Sequence, residues 1–472
     1  MAAQSYNLAM IGIGVMGKNL LLNMADHGFP VIGYNKDPKK TAALEASATP
    51  GTTVKGVNTY QEMISLLEKP RKIMLLVPAG KPVDDVIESL IPLVEKGDII
   101  IDAGNSHYTD TLRRVTLLQG KGLHFMGIGV SGGEEGARKG PSIMPGGDPE
   151  AYPHVKPILE AVAARENNVP CVAHLGKGAA GHYVKMVHNG IEYAIMQLIS
   201  ESYDLLRYGA GLGNDELHHV FDSWNKSDMQ SFLIEITKDI FLQNDDKTGK
   251  RLVDVILDKA GAKGTGKWTS QDAMELGMPI PTIDMAVTMR NLSSLKEERT
   301  KAANLYPAKA SAITTPKEEF IKQVHDALYF ATIISYVQGM GLLYRASADY
   351  DMQIPFPEVV RVWRGGCIIR SVMLDLFAKA YQQNPTLPNL LLDSGIASVL
   401  KDKEQNLRTV IATAVQHKIA AGALMTSLAY FDAYRNDRMP VNLIQAQRDY
   451  FGAHTYQRID EEGIFHTEWQ HF

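Results

Sequence analysis

The chain has 472 residues, a formal net charge of −5 and a hydrophobic fraction of 45%. This length predicts two or three domains, because a typical domain spans roughly 100–200 residues. The slightly acidic balance argues against a nucleic-acid partner, which usually needs a basic face. Any anionic ligand must therefore be held by a local cluster of lysine and arginine. The two cysteines, Cys171 and Cys367, indicate neither a disulfide framework nor a zinc site.

The N-terminal residues do not combine a basic start, an apolar run and a cleavage site, so no signal peptide is expected. The longest apolar candidate, 419–434, is interrupted by Thr426, Ser427 and Asp432 and is too short to span a bilayer. We therefore expect a cytoplasmic protein that has no membrane partner.

Short apolar runs alternate with helical patterns in the first part of the chain. The predicted buried strands are 8–13, 30–34, 72–77, 98–102 and 123–128. Helices are predicted over 19–27 and 82–95, from their spacing of apolar residues. Strands that alternate with helices predict βαβ units, and hence an α/β Rossmann-type domain whose parallel sheet is covered on both faces.

The pattern changes near residue 176. From 179 to about 434 nearly every segment has helical periodicity, so the expected domains are 1–178, a large all-α domain at 179–434 and a C-terminal tail at 435–472. We expect the tail to dock on its own domain or on a partner subunit, because exposed rings are costly. The aromatic residues of the tail are Tyr450, Phe451, Tyr456, Phe465, Trp469 and Phe472.

A glycine motif follows the first predicted strand and opens a helix. It reads Gly12-Ile13-Gly14-Val15-Met16-Gly17. Glycines at this spacing permit a tight turn, a close approach of the backbone to a pyrophosphate, and close packing of helix on strand. In its strand–turn–helix context the motif predicts a dinucleotide site.

The end of the second predicted strand indicates which dinucleotide is bound. An acidic residue there suits the ribose 2′-hydroxyl of NAD, and a basic one suits the 2′-phosphate of NADP. Here Asn35 is neutral and Lys36 is positive, which favours NADP, whereas Asp37 would repel a phosphate and favours NAD. The prediction is NADP, with NAD as the open alternative.

The helix predicted to begin near residue 180 carries two different faces. Its apolar face contains Val184, Val187, Ile191, Ile195 and Leu198.

The other face is polar and consists of Lys185, His188, Asn189 and Glu192. Lys185 and Glu192 are separated by about 10 Å along the helix axis. That gap could hold a small substrate between an amine and a carboxylic acid, although a solvated helix face is the simpler alternative.

Two glycine-containing loops precede this helix. One contains Asn105 after the fourth predicted strand, and the other contains Ser131, Gly132 and Gly133 after the fifth. Ligands bind at the carboxyl ends of parallel strands, so both loops are candidates for holding a carboxylate or hydroxyls. Ordinary turn chemistry explains either loop alone equally well.

Taken together, these motifs resemble the decarboxylating 6-phosphogluconate dehydrogenases. The resemblance runs in order along nearly the whole chain and is carried by the segments 12–17, 105–106, 131–133, 181–193, 263–269, 290–294, 363–370 and 445–454.

The resemblance implies oxidative decarboxylation of 6-phosphogluconate to ribulose 5-phosphate and carbon dioxide in the pentose phosphate pathway, with no metal. Lys185 corresponds to the family's general base and Glu192 to its general acid. A lysine can act as a base only when it is neutral, so its pKa must be lowered.

The same resemblance assigns ligand contacts and a homodimer with shared active sites. The sugar acid would be bound by Asn105, Ser131, Gly132, Gly133, His188 and Asn189. The phosphate end would be bound by Tyr193, Lys263, Arg290, Arg448 and His454, of which Arg448 and His454 would serve the neighbouring subunit. The cofactor would contact 12–17, Asn35, Lys36, Asp37, Val77, Pro78, Ala79 and Asn105.

The chain departs from the family pattern at Gly14, Lys36, Asp37 and Pro78. The family often has Ala in place of Gly14 and Arg in place of Lys36. It often has Ser or Thr in place of Asp37, and Lys in place of Pro78. All four positions are on the cofactor side.

Two other functions stay open: a β-hydroxyacid dehydrogenase for a smaller, unphosphorylated acid, and a catalytically inactive dinucleotide-binding protein.

Overall fold

A computed structural model describes residues 5–307 and 312–470; Phe472 of the tail lies outside them. The strands are β1 (Leu8–Ile11), β2 (Val31–Tyr34), β3 (Val54–Val57), β4 (Lys72–Leu75), β5 (Ile99–Asp102), β6 (His124–Ser131), β7 (Ser142–Gly147), β8 (Arg165–Glu166) and β9 (Val169–Pro170).

The helices alternate with the strands in the first part and then follow one another. They are α1 (Val15–Asp26), α2 (Pro38–Ala46), α3 (Tyr60–Leu66), α4 (Lys81–Leu90), α5 (Tyr108–Gln119), α6 (Gly133–Lys139), α7 (Tyr152–Val162), α8 (Ala180–Asp204), α9 (Asn214–Trp224), α10 (Phe232–Ile240), α11 (Thr265–Glu275), α12 (Pro281–Ser294), α13 (Lys296–Leu305), α14 (Lys317–Asp349), α15 (Phe356–Trp363), α16 (Leu374–Gln383), α17 (Ser394–Gln416), α18 (Gly422–Tyr434) and α19 (Asn442–Gly452).

The first part is built on a seven-stranded sheet in the order β3-β2-β1-β4-β5-β6-β7. Alternate residues of β1 enter two different apolar layers: Leu8 and Met10 pack on one face, Ala9 and Ile11 on the other. A strand that is buried on both faces reads as a continuous apolar run, which is why the sequence pattern identified it. The predicted fold class, a Rossmann-type α/β domain followed by a large all-α domain and a tail, is confirmed.

Two strands of the seven-stranded sheet, β3 and β7, were absent from the prediction, as was the separate pair β8 and β9. β3 has the sequence VKGV, in which a lysine and a glycine interrupt the apolar pattern. β7 has the sequence SIMPGG and pairs antiparallel with β6, so the expected wholly parallel sheet is wrong at this edge. Both strands depend on pairing with a neighbour, because proline and glycine are poor strand formers.

Several predicted bounds also need correction. β6 continues through Ser131, so Ser131 belongs to the strand and not to the loop after it. β1 ends at Ile11, because Gly12 has a φ of +98° and turns the chain towards α1. The predicted helix at 82–95 is α4 and ends at Leu90.

The helical part is centred on α8 and α14, whose side chains form one large apolar core. Among the residues that the structure describes, the helix that is long and apolar enough to cross a membrane is α14, not the segment 419–434. In α14, 94% of the most apolar window is buried inside the protein. We therefore describe α14 as a core helix.

Glycines let α8 pack directly on the sheet. A Cβ built on Gly181, in the first turn of α8, would overlap the carbonyl oxygens of Gly127 and Met144. A Cβ on Gly146 of β7 would overlap the backbone nitrogen of Gly181. Because backbone meets backbone at this contact, the position of α8 relative to β6 and β7 is closely defined.

Gly181→Ala should therefore lower the free energy of unfolding by about 1–3 kcal/mol, the usual cost of forcing extra volume into a packed interior. Gly120→Ala is the matched control, because a Cβ there lies 3.5 Å from the oxygen of Thr116, an ordinary contact. The control should change stability by less than about 0.5 kcal/mol. Urea unfolding midpoints at equal protein concentration measure both, and equal midpoints for the two variants would contradict the close contact.

Candidate active site

Lys185 lies in the second turn of α8, against strand β6. A Cβ built on Gly129 of β6 would lie 2.9 Å from Cγ of Lys185, so the missing side chain of this glycine leaves room for the lysine. Lys185 is 6% exposed, and its Nζ donates a hydrogen bond to Oδ1 of Asn189 at 2.9 Å. The fold therefore brings a buried amine to the carboxyl end of β6.

Burial lowers the pKa of Lys185 below the ordinary lysine value of 10.5, and the nearby Glu192 carboxylate partly opposes this shift. The direction is the one that a lysine base requires, because only the neutral amine accepts a proton. The pKa of His188, which is fully buried beside Lys185, is lowered well below 6.5, again chiefly by burial. His188 is therefore neutral at physiological pH.

Asn189 joins these groups into one network. Its Oδ1 accepts hydrogen bonds from Lys185 and, at 3.1 Å, from Nδ1 of His188. Because Nδ1 of His188 donates, Nε2 is left to accept from Oγ of Ser131 at 3.4 Å. Nδ2 of Asn189 donates to Oγ1 of Thr265, the first residue of α11, at 3.0 Å. The network links two helices and the end of β6.

Glu192 lies two turns further along α8, with its side chain 22% exposed and Oε2 3.9 Å from Nδ1 of His188. Burial raises its pKa above the ordinary value of 4.5, while the charges of Lys185 and Arg290 lower it. A raised pKa suits a carboxyl group that must donate a proton. The predicted polar face of α8 is thus a partly buried site, not a solvated surface.

Two of the predicted phosphate-binding residues, Tyr193 and Arg290, are in contact. The guanidinium carbon of Arg290 lies 3.4 Å from the centre of the Tyr193 ring, and its Nη1 donates to the carbonyl oxygen of Gly261 at 3.2 Å. The loop that contains Lys263 leads into α11, and Lys263 is exposed. Arg290 also lies close enough to Glu192 for its charge to lower the pKa of that carboxyl group.

The loop after β5 is held by a buried ion pair. Arg114 is fully buried and donates to the carboxylates of Asp84, at 2.8 Å, and Asp102, at 3.2 Å. Asp102 also accepts from the hydroxyl of Ser106 at 2.6 Å. Asn105, which stands between Asp102 and Ser106 in the sequence, has an exposed side chain that is available to a ligand.

The loop after β6 turns at two glycines with positive φ, Gly132 at +123° and Gly133 at +66°. A Cβ on Gly132 would lie 2.6 Å from the carbonyl oxygen of Gly366. Gly133 begins α6, so the backbone amides of a helix N-terminus lie next to Ser131. This arrangement fits a carboxylate or hydroxyl ligand.

Apart from the site around Lys185, the glycine motif borders a cavity of about 420 Å³. A Cβ built on Gly14 would meet nothing within 4 Å, so the space beside it is open to a ligand. A Cβ built on Gly17 would overlap the carbonyl oxygen of Gly12, which holds α1 close to the turn. The residues lining the cavity are Ile11, Gly12, Gly14, Tyr34, Asn35, Lys36, Lys40, Tyr60, Leu76, Val77, Pro78, Pro82 and Val86.

The shape and charge of this cavity fit a phosphorylated dinucleotide. It combines the open turn before α1 with two lysines and the paired rings of Tyr34 and Tyr60, whose centroids lie 4.6 Å apart. Burial raises the pKa of Tyr60 to about 12, so its hydroxyl stays neutral near a phosphate. Of the other predicted cofactor residues, Ile13 is buried, Met16 is partly buried, and Val15, Asp37 and Ala79 are exposed outside the cavity lining.

The structure does not bring every predicted residue to the site of its own chain. Arg448 donates to Oε1 of Gln445 at 3.1 Å, and His454 packs against Phe451 with ring centroids 5.8 Å apart. Both contacts lie within the tail. Arg448 and His454 are themselves exposed.

Three residues that matter for the geometry were not singled out from the sequence. Thr265 lies inside the segment 263–269, but only the fold shows that its hydroxyl meets Asn189. Lys40 and Tyr60 line the dinucleotide cavity from α2 and α3, two helices that the sequence pattern did not predict. The one signal in the sequence that could have identified any of the three was a second basic residue, Lys40, four positions after Lys36.

A Rossmann-type sheet with an open glycine turn and a basic cavity, beside a buried lysine and a protonatable carboxyl group, defines a nicotinamide-dependent dehydrogenase. Family comparisons agree with this class. Residues 7–176 match the NAD binding domain of 6-phosphogluconate dehydrogenase, and residues 181–469 match the 6-phosphogluconate dehydrogenase C-terminal domain.

Individual relatives are similar over the whole chain. The NADP(+)-dependent, decarboxylating 6-phosphogluconate dehydrogenase of Bacillus subtilis (strain 168) is 52% identical over 463 residues, which are 98% of each chain. The decarboxylating enzyme of Rattus norvegicus is 49% identical over 98% of this chain and 96% of its own. The structure of Plasmodium falciparum 6-phosphogluconate dehydrogenase superimposes with a TM-score of 0.96 at 45% identity, over 98% of this chain and 100% of that one. The chain belongs to the 6-phosphogluconate dehydrogenase family.

Thr265→Val tests the network around Asn189. The valine keeps the shape but removes the oxygen that accepts from Asn189, and an unsatisfied buried donor costs about 1–3 kcal/mol. We expect kcat/KM for the family's reaction to fall about tenfold or more.

Thr237→Val is the matched control, because this hydroxyl donates only to Leu233 within α10, at 2.6 Å. It should leave kcat/KM within about twofold of the wild-type value. Steady-state kinetics on both variants checks this, and equal effects at the two positions would show that the Thr265 contact has no special role.

Proposed function

We propose that this chain catalyses the oxidative decarboxylation of 6-phosphogluconate to ribulose 5-phosphate and carbon dioxide with NADP, a reaction of the pentose phosphate pathway. The observation that carries the proposal is the burial of Lys185 on α8, seven residues before Glu192 and next to the dinucleotide-binding sheet. Two relatives support it. The B. subtilis enzyme is NADP-dependent and decarboxylating, and the P. falciparum enzyme has been solved in complex with its cofactor NADP+ and in complex with its substrate 6-phosphogluconate.

Lys185 is the proposed general base. Its lowered pKa favours the neutral amine, and that form takes the proton from the carbon-3 hydroxyl of the substrate. Bound NADP supplies the oxidising chemistry by accepting the hydride from carbon 3. The hydrogen bond from Nζ to Asn189 keeps the amine oriented before the substrate arrives.

The same lysine, now protonated, then stabilises the negative charge that develops on the carbon-3 oxygen of the β-keto acid as carbon dioxide leaves. Glu192 donates a proton to carbon 1 of the resulting enediol. Its raised pKa favours the protonated carboxyl group, the form that a general acid requires. The ketone is itself the electron sink, so the residues of the chain suffice for this step.

The two loops and the polar face of α8 bind the sugar acid. The side chain of Asn105 and the amides at Gly132 and Gly133 supply hydrogen-bond donors, and the oxygen of Ser131, whose proton goes to His188, accepts one. His188 and Asn189 complete the proposed sugar-acid site. Tyr193, Lys263 and Arg290 bind the phosphate. The positive charge of Arg290 over the Tyr193 ring favours a phosphorylated substrate over a smaller, unphosphorylated acid.

The function is tested by the absorbance of reduced nicotinamide with 6-phosphogluconate and NADP, together with the release of carbon dioxide. Lys185→Met, which keeps an unbranched side chain but removes the base, should reduce turnover by at least about 100-fold. Lys177→Met, at an exposed lysine just before α8, should not. Absence of substrate turnover in the wild type would reject the proposed reaction, and full activity of Lys185→Met would reject the assigned base.

We further propose a homodimer in which each tail completes the site of the other subunit. Apolar side chains of the tail are largely exposed: Leu443 by 61%, Phe451 by 72% and Ile464 by 74%. Asp449 is buried within the tail and accepts hydrogen bonds from His466, Thr467 and Trp469, so the tail has a defined shape before it docks. An ordered surface with this much exposed apolar area favours a protein partner.

Mixing two inactive variants tests this shared site. Lys185→Met damages a residue of α8, and Arg448→Ala damages a residue that we assign to the partner's site. A mixed dimer then has one intact site, so random mixing should restore about a quarter of wild-type activity. Activity that stays at the level of the parents after subunit exchange would show that Arg448 serves its own chain.

We also place the enzyme in the cytoplasm. In the part of the chain that the structure describes, the one helix apolar enough to cross a membrane is α14, which is buried in the core.

A further inference from the structure

Two loops leave the sheet at the carboxyl ends of the neighbouring strands β4 and β5. The cofactor-side loop is 76–80, and its first three residues line the dinucleotide cavity. The substrate-side loop is 103–107 and carries Asn105, which we assign to the sugar acid. A Cβ built on Gly104 would lie 3.2 Å from the carbonyl oxygen of Val77, so the two loops lie against each other. In the proposed reaction a hydride passes from one ligand to the other, so the separation of these loops affects its rate.

Arg114 of α5 contacts both loops from the protein interior, where it is fully buried. Its Nη2 donates to the carbonyl oxygen of Gly80, in the cofactor-side loop, at 3.0 Å. Its Nη1 donates to Oγ of Ser106, in the substrate-side loop, and to Oδ2 of Asp102, at the end of β5, each at 3.2 Å. Its Nε donates at 2.8 Å to Oδ1 of Asp84, which lies in the helix after the cofactor-side loop. One side chain therefore spans the two loops.

The end of β5 is also attached to the helix that carries the proposed base. The backbone carbonyl oxygen of Asp102 accepts a hydrogen bond at 3.0 Å from Nε2 of His182, which is buried in α8 one turn before Lys185. Oδ1 of Asp102 accepts from the backbone nitrogen of Gly104 at 3.0 Å. Asp102 is thus connected through its carboxylate to Arg114 and through its carbonyl group to α8.

Stability alone is a poor explanation of this buried network. Removing a guanidinium and a carboxylate from water has a cost that their attraction often only just repays, so apolar replacements are frequently as stable. An apolar group, however, cannot fix the positions of several hydrogen-bond acceptors. The planar guanidinium has five N–H donors at fixed angles, whereas lysine has a single ammonium group. Arginine is therefore suited to hold two loops at one separation.

We propose that Arg114 is a positioning residue for hydride transfer, which sets the distance between the dinucleotide and the sugar acid by holding the cofactor-side and substrate-side loops together. Because it is fully buried, it acts through the loops and not on a ligand. The inference rests on the proposed function, which requires the hydride to pass from carbon 3 to the dinucleotide. A misplacement of about 1 Å can cost about 100-fold in rate, so small shifts of these loops should be measurable.

Arg114→Lys tests this role, because it keeps a positive charge beside Asp102 but loses the fork of donors. The measurement is a single turnover with the enzyme saturated with NADP+ and in excess over 6-phosphogluconate, followed by the absorbance of reduced nicotinamide. We expect the first-order rate constant to fall about 10- to 100-fold. The dissociation constant of NADP+ should change by less than about threefold. This rate constant describes the folded, saturated enzyme, so a variant that is merely less stable would keep the wild-type value.

Arg113→Lys is the matched control. Arg113 is the adjacent residue of α5, its side chain is 52% exposed, and its hydrogen bonds go to the carboxylates of Asp84 and Asp110. Its substitution should leave the rate constant within about twofold of the wild-type value. A rate constant for Arg114→Lys that is also within this range, or an equal fall in the two variants, overturns the proposal.

Ser106→Ala gives a second test that keeps the buried ion pair, and it decides the question if Arg114→Lys does not fold. It removes the hydroxyl that accepts from Arg114 and donates to Asp102 at 2.6 Å. The same rate constant should fall about threefold or more. Ser89→Ala, at an exposed serine whose hydroxyl donates to the carbonyl oxygen of Asp85 within α4 at 2.7 Å, should leave the rate constant unchanged. Equal rate constants for these two variants would overturn the inference.

A wild-type enzyme that gives no turnover rejects the proposed function, and hydrogen exchange then tests whether Arg114 holds the loops. The backbone amide of Gly104 should exchange at least about tenfold faster in Arg114→Lys than in the wild type. In Arg113→Lys its exchange rate should not change. Equal exchange in the two variants shows that Arg114 does not hold the substrate-side loop.

Discussion

The site depends on the backbone contact between α8 and the edge of the sheet. Gly127 and Gly146 of the strands meet Gly181 of the helix without an intervening side chain. This contact places Lys185 over Gly129, where the amine is buried and its pKa is lowered. A larger residue at any of these glycines would move the helix, and with it Lys185, away from the dinucleotide domain. The position of the proposed base therefore depends on glycines, which have no side chain at this contact.

A second set of contacts fixes α11 relative to α8. Thr269 donates to the carbonyl oxygen of Met186 at 2.9 Å, and Gly266 lies against the ring of Tyr193. Asp272, further along α11, accepts hydrogen bonds from Tyr108, Tyr183 and Tyr350. Tyr108 belongs to the first domain and Tyr183 to α8, so one buried carboxylate joins the dinucleotide domain to both helices.

The sequence predicted much of this arrangement because its strongest signals are local. The spacing of Lys185 and Glu192 identifies a polar face on a helix, and the glycine motif identifies a turn. Burial of that face is a tertiary property, since it depends on glycines of distant strands. The contact of Thr265 with Asn189 and the place of Lys40 and Tyr60 in the cavity likewise depend on how separate segments pack. Strand β7 was missed because its pairing with β6, and not its own composition, makes it a strand.

The central claim is that burial on α8 turns Lys185 into a base, and the pH dependence of the hydride-transfer step tests it most directly. The neutral amine is the active form, so the rate should rise with pH through the pKa of Lys185, at a pH below the ordinary 10.5. The carboxylate of Glu192 raises this pKa, so in Glu192→Gln the rise should move to still lower pH in single-turnover measurements. A rise at or above the ordinary lysine value, or one that Glu192→Gln leaves in place, would contradict the account.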